Sequence, residues 1–169
     1  MPASARVCEQ RKLKSEAQPM ATVPWEITHS VETNASPEFA WHYWTNIANW
    51  NDPPAEFALD GPFAIGSRGA TRLPGQEPLY WFIREVAPPN AAMIEMSLDG
   101  AGLSFEWRFV GLAGGRTRLT QRIVLKGEKA DIYLPQVKAA FTANLADGMN
   151  KLATAMANAD PSRKSPSPD

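Results

Sequence analysis

Between residues 25 and 34 apolar and polar side chains alternate. Trp25, Ile27, His29, Val31 and Thr33 fall on one face, and Glu26, Thr28, Ser30 and Glu32 on the other. That period of two predicts a half-buried strand. Ala35-Ser36-Pro37-Glu38-Phe39 then reads as a helix start. Ser36 can cap free N–H groups, and Pro37 suits the first helical position, where its missing N–H costs nothing. Phe39, Trp41, Tyr43 and Trp44 populate this short helix, and residues 46–51 make a second helical turn that Pro53-Pro54 ends.

From Glu56 onward the chain alternates between short strands and turns. Strands are predicted at Glu56–Asp60, Ser67–Leu73, Leu79–Val86 and Ala91–Leu98, separated by Gly61-Pro62, Pro74-Gly75 and Pro88-Pro89-Asn90. Gly69 inside the second of these marks a bulge or a close approach. After the turn at 99–102, Leu103, Phe105, Trp107 and Phe109 alternate with Ser104, Glu106, Arg108 and Val110, the clearest half-buried strand in the chain. Gly114-Gly115 leads into Arg116–Lys126, with Leu119, Gln121, Ile123 and Leu125 on one face and Arg118, Thr120, Arg122 and Lys126 on the other. Finally, Leu134, Val137, Phe141, Leu145, Met149, Leu152 and Met156 recur at helical spacing, predicting one long amphipathic helix over about 131–158 with Pro135 in its first turn. The order of elements predicts an α+β fold, with a curved antiparallel sheet of about seven strands wrapped around the long C-terminal helix and two short helices after the first strand.

Composition narrows the function. At 169 residues with 44% hydrophobic side chains, the chain is long enough for one domain with a real core. Its net charge of −1 leaves no cationic surplus for tracking phosphates, so no nucleic-acid partner is expected. A single cysteine, Cys8, and two histidines, His29 and His42, argue against disulfides and metal sites, and no cofactor is implied. Residues 1–23, with four basic and two acidic side chains, and residues 160–169, rich in Pro and Ser, read as disordered tails around a domain at 24–159. No apolar run reaches the roughly 20 residues of a membrane helix, and no apolar stretch follows the N-terminal cations as in a secretory signal. A cytoplasmic protein without integral membrane association is expected, as a monomer or weak homodimer. What stands out is six Trp and seven Phe. Tryptophans need partners for their N–H groups when buried, so what they enclose is the question.

Several stretches together resemble the START/Bet v 1-like helix-grip superfamily, specifically its polyketide cyclase/dehydrase and lipid-transport-like proteins. They are Val31-Glu32-Thr33-Asn34-Ala35-Ser36-Pro37-Glu38 with Phe39-Ala40-Trp41, Ile47-Ala48-Asn49-Trp50, Gly66-Ser67-Arg68, Glu85-Val86-Ala87-Pro88-Pro89, and the helix from Leu145 to Met156. The resemblance spans about residues 25–158 and is specific for fold rather than for function. It implies a cavity between sheet and helix for a small hydrophobic molecule such as a lipid, isoprenoid, quinone or aromatic polyketide.

Trp81, Ile83, Ile94, Met96, Phe105, Trp107, Phe109, Leu119 and Ile123 would line the sheet side of that cavity, and Phe141, Leu145 and Met149 the helix side. Gly148, in the stripe that Phe141 begins, would leave room for the ligand. Gln121 interrupts an apolar face, and either a ligand or a polar neighbour could satisfy its amide. His29 is in phase with inward residues and is the candidate acid–base group. Glu85 joins it if it follows Trp81 and Ile83 inward, with Arg68 or Arg72 as its partner. Two alternatives stay open beside ligand binding. One is a polyketide cyclase/dehydratase-type enzyme built on His29 and Glu85. The other is a chaperone-activator-like interaction module docking through an exposed patch at Trp41, Trp44 and Trp50.

Overall fold

The structure is a computed structural model and describes residues 25–163. Both the 1–23 segment and residues 164–169, assigned to tails by composition, lie outside the described residues. Strand β1 (Trp25–Thr33) leads into helix α1 (Pro37–Thr45) and a 3-10 turn (Ile47–Asn49). Six strands follow: β2 (Glu56–Asp60), β3 (Arg68–Arg72), β4 (Leu79–Ala87), β5 (Ala91–Leu98), β6 (Ala101–Gly111) and β7 (Thr117–Lys126). Helices α2 (Ala130–Phe141) and α3 (Leu145–Ala159) complete the chain. The seven strands form one curved antiparallel sheet in the order β1-β7-β6-β5-β4-β3-β2, the helix-grip arrangement. β2 to β7 is a meander of neighbours. Only β1 pairs out of sequence, against β7, which α1 makes possible by carrying the chain across the concave side.

Cap chemistry sets the start of α1: the Ser36 hydroxyl accepts from the Phe39 N–H at 3.2 Å, with Pro37 in the first turn. The alternation read from the sequence sets the faces of the sheet. Trp25, Ile27 and His29 stand opposite Leu125, Ile123 and Gln121, and these stand opposite Leu103, Phe105 and Trp107. The rows continue onto Met96, Ile94 and Ala92 of β5. All of these point to the concave side, where the helices lie.

The C-terminal helix differs from expectation in three ways. It is broken into α2 and α3 at residues 142–144, although its apolar stripe faces inward along both parts. The Asn144 side-chain amide donates to the Ala140 carbonyl at 3.0 Å, an acceptor that the backbone ladder would otherwise use. Pro135 lies inside α2 rather than in its first turn, and the helix opens on bonds three residues apart, from Ala130 N to Gly127 O and from Ile132 N to Lys129 O. Described structure also continues past residue 159, to residue 163. Asp160 is buried, its carboxylate accepting from the Ser36 N–H at 3.1 Å and from Ser162, and a 3-10 turn spans Pro161–Arg163. Composition could not show this, because a Pro/Ser-rich segment hides one carboxylate with backbone donors waiting for it. No helix among the described residues is long and apolar enough to cross a membrane.

Candidate functional site

Aromatic side chains fill the α1 side of the concave space. Trp44 is 3% exposed and has Trp107, Phe63 and Phe109 within 5.0, 5.1 and 5.5 Å between ring centroids. Trp41 packs edge-on to Phe109 at 5.4 Å. Trp50 stacks on Trp81 at 5.5 Å, and Phe57 closes on Trp50 edge-on. Two of the indole N–H groups have defined acceptors: Trp50 donates to the Trp44 carbonyl at 2.6 Å and Trp81 to the Thr71 hydroxyl at 3.1 Å. Gly69, paired with Trp81 across β3 and β4, is the close approach expected from its position, since a Cβ there would overlap the Trp81 ring. Trp41 and Trp44 are therefore core, and Trp50 is half-buried under the same stack. The exposed docking patch expected on these three tryptophans is not formed, because α1 turns its aromatic face inward to plug the sheet.

Away from this plug the concave wall is less tightly covered. Ile27, Met96, Leu98 and Phe105 on the sheet, with Leu134, Phe141 and Leu152 on the helices, are half-buried and pack against the core. Phe105 and Phe141 bridge sheet and helix edge-on at 5.6 Å. Ile83, Phe109, Leu119, Ile123 and Met149, by contrast, are at most 2% exposed and are held on all sides. Trp81, Ile94, Trp107 and Leu145 are buried too. Of the expected apolar lining, the accessible part is thus Met96, Phe105 and Phe141. Ile27, Leu98, Leu134 and Leu152 join them at the same seam; periodicity placed Ile27, Leu134 and Leu152 on the inward face without showing that they stay half-open.

Two shallow surface hollows lie outside this seam. One, about 400 Å³, lies along the outer face of α3 at Asn150, Lys151, Thr154, Ala155 and Asn158. The other, about 370 Å³, lies on the outer sheet face at Thr28, Glu106, Arg108, Thr120 and Arg122. Gly148 is exposed, and a Cβ there would meet no atom within 4 Å, so it is not packed against the wall that Phe141 and Leu145 face. Its position between two stripe residues put it on the flank of the helix rather than on the buried line.

The polar candidates separate. His29 is half-buried on the concave side, directly opposite Gln121, which is itself buried. Glu85 is exposed on the outer face, which corrects the inward placement expected for it. Pairing shifts from Ile83 with Ile94 to Glu85 with Met93, so Arg84 is one residue too many and the bulge reverses which side Glu85 faces. Val86, not Glu85, pairs with buried Ala92. His29 and Glu85 are therefore not brought together. Arg68 sits over the Tyr80 ring at 3.9 Å, and Arg72 stands opposite Glu56. The remaining charges pair across strands on the outer face, as their alternation predicts. Arg122 bonds Glu26 and Glu106, Arg116 and Arg118 bond Glu32, and Arg84 approaches Glu95. The hydrogen bonds that Arg122 donates to the Glu106 and Glu26 carboxylates raise its pKa above the ordinary arginine value. Such exposed pairs shape a wet surface more than they stabilise it. No group of three His, Cys, Asp or Glu among the described residues could hold a metal ion.

Comparison with known proteins agrees with this architecture. The family model described as polyketide cyclase / dehydrase and lipid transport matches residues 24–157. No curated protein matches the chain by sequence. Among solved structures, norcoclaurine synthase from Thalictrum flavum in complex with dopamine and hydroxybenzaldehyde superposes with a TM-score of 0.60 at 17% identity, covering 80% of this chain and 90% of that one. Protein MLL2253 from Mesorhizobium loti gives 0.62 at 15% identity, over 80% of this chain and 99% of its own. DynU16, from the dynemicin biosynthetic locus, gives 0.58 at 18% identity, over 82% of this chain and 49% of its own. At these identities the likeness is one of fold.

Proposed function

Since the chain belongs to the polyketide cyclase/dehydrase and lipid transport family, we propose that it binds a small hydrophobic molecule between the concave sheet and the C-terminal helices. The ligand class is a lipid, isoprenoid, quinone or polyketide-like aromatic. The observation that carries this reading is the stretch of half-buried apolar side chains at Met96, Phe105 and Phe141, beside a plug in which Trp41 and Trp44 are sealed. Apolar side chains left partly wet are the groups an apolar ligand would cover, and each square ångström removed from water contributes about 25 cal/mol. Thioether and phenyl groups also suit varied ring-bearing or isoprenoid shapes. The fold neighbour that holds dopamine and hydroxybenzaldehyde supports the idea that this scaffold accommodates aromatic molecules.

The test is direct. Protein purified from its own host is extracted with organic solvent and analysed by mass spectrometry, and the stripped protein is melted with a panel of lipids, quinones and aromatics. A ligand at a hundred times its Kd is expected to stabilise the fold by about 2.7 kcal/mol, and Phe105→Asp should abolish the shift. If nothing co-purifies and no panel member raises the Tm, the reading is wrong.

A further inference from the structure

We propose that Gln121 and His29 form a polar subsite in this seam, which takes a carbonyl or hydroxyl oxygen of an otherwise apolar, ring-bearing ligand. The proposal rests on the ligand-binding reading above and specifies the chemistry of its ligand. Gln121 is 9% exposed, yet its side-chain amide makes no hydrogen bond to any described residue. Among the described residues no polar side-chain atom that is sealed from solvent lacks a partner, so the amide opens onto space that a water-sized molecule can reach. A buried amide pointed at reachable space, with no partner within the protein, is a binding group in waiting.

His29 stands directly opposite it on β1, on the same concave side, and among the described residues its imidazole has no hydrogen-bond or ion-pair partner either. Side chains at directly opposed positions have Cβ atoms about 4.5–5.5 Å apart, close enough for one ligand oxygen to meet both. Gln121 offers an N–H donor and a carbonyl acceptor, and a neutral imidazole offers one of each. A ketone or quinone oxygen can accept from both residues, and a hydroxyl can accept from one and donate to the other. Trp107 flanks Gln121 on the other side, in register on β6, and Phe105 lies one row away. Trp107 is covered by Trp44, so the oxygen would be held at the end of the seam, with the rest of a ring system lying toward half-buried Phe105. A purely hydrocarbon ligand in the same place would strip water from both polar groups and give nothing in return, at a cost of about tenfold to a hundredfold in affinity.

The experiment uses three probes of one ring size, naphthalene, 1-naphthol and 1,4-naphthoquinone, titrated against the whole chain by tryptophan fluorescence and calorimetry. Both oxygenated probes are expected to bind about ten times tighter than naphthalene or better. Gln121→Leu should bring the three affinities together by weakening the oxygenated probes while naphthalene binds as well as before, and His29→Leu should do so in part. Equal binding of all three probes by the unaltered protein overturns the subsite and leaves the apolar reading standing. Failure of all three to bind overturns the subsite, and it overturns the ligand-binding reading as well only where nothing co-purifies and no member of the lipid, quinone and aromatic panel raises the Tm. A Gln121→Leu variant that folds, by its circular dichroism and melting curve, and keeps the full preference for oxygen also overturns the assignment. If that variant does not fold, the ratio in the unaltered protein and the His29→Leu variant decide.

Discussion

The two halves of the gripped helix are held by different means. α3 buries Leu145, Met149, Ala153 and Met156, and buried hydrogen bonds staple its C-terminal end to the sheet and to α1. Thr33 donates to the Ala153 carbonyl at 2.7 Å, and the Asp160 carboxylate takes the Ser36 N–H. α2 buries only Val137, carries Pro135 inside it and has no side-chain cap at its start. What holds its first turn is exposed: the Tyr133 hydroxyl donating to the Asp99 carbonyl and the Lys129–Asp99 pair. Apolar burial with satisfied polar groups fixes one half, while one buried side chain, half-buried packing and a few wet contacts hold the other. The difference locates the compliance of the fold. A molecule inserted beside Phe105 and Phe141 would have to displace little that is fully buried, whereas one inserted at Trp44 would have to dismantle the core.

The comparison can be broken most sharply at the plug. Trp44→Ala removes the ring around which Trp41, Trp50, Phe63, Trp107 and Phe109 are arranged, and is expected to cost about 3–5 kcal/mol. Urea titration would measure it, and a loss under about 1 kcal/mol would mean that the plug is not what closes this half. Gly69→Ala is the next largest. The added methyl group meets the Trp81 ring, so Trp81 and the Trp50 stacked on it must move, at a cost of about 1–3 kcal/mol. Its signature would be a changed near-ultraviolet circular dichroism spectrum together with a lowered Tm; an unchanged spectrum would deny the stack.

Much of this architecture could be read from periodicity. β1, β6 and β7 announce themselves because one face is buried and the other wet, which is the condition that makes alternation strict. The inward phase of His29 and Gln121 follows from the same pattern. Glu85 was out of reach: one extra residue at Arg84 reverses the phase, and a bulge leaves no trace in a strand already crowded with aromatics on both faces. The tryptophans of α1 were ambiguous for another reason. A helix of 9 residues with Phe39, Trp41, Tyr43 and Trp44 has too few turns for its spacing to say which face the sheet claims. Asp160 was hidden because its partner, the free N–H of Ser36, lies 124 residues away along the chain. Half-burial at Met96, Phe105 and Phe141 depends on how closely two separate elements approach, and no local pattern encodes that distance.

The smallest expected effect probes the loose half. Ile132 in α2 is 70% exposed, so Ile132→Ser removes an apolar side chain that the fold hardly covers. Stability should change by no more than about 0.5 kcal/mol, and the Tm accordingly little. Burial of one side chain is a local measure, however, and amide hydrogen exchange extends the test to the whole helix. Amides of α2 should exchange through local opening, and those of α3 around Met149 and Ala153 only through global unfolding. Since local opening does not pass through the unfolded state, exchange in α2 should stay the same when Trp44→Ala lowers global stability, whereas exchange in α3 should accelerate with it. Equal protection along both helices, or a large loss of Tm from Ile132→Ser, would show that α2 is held as firmly as α3, and the seam would lose its claim to be where the fold yields.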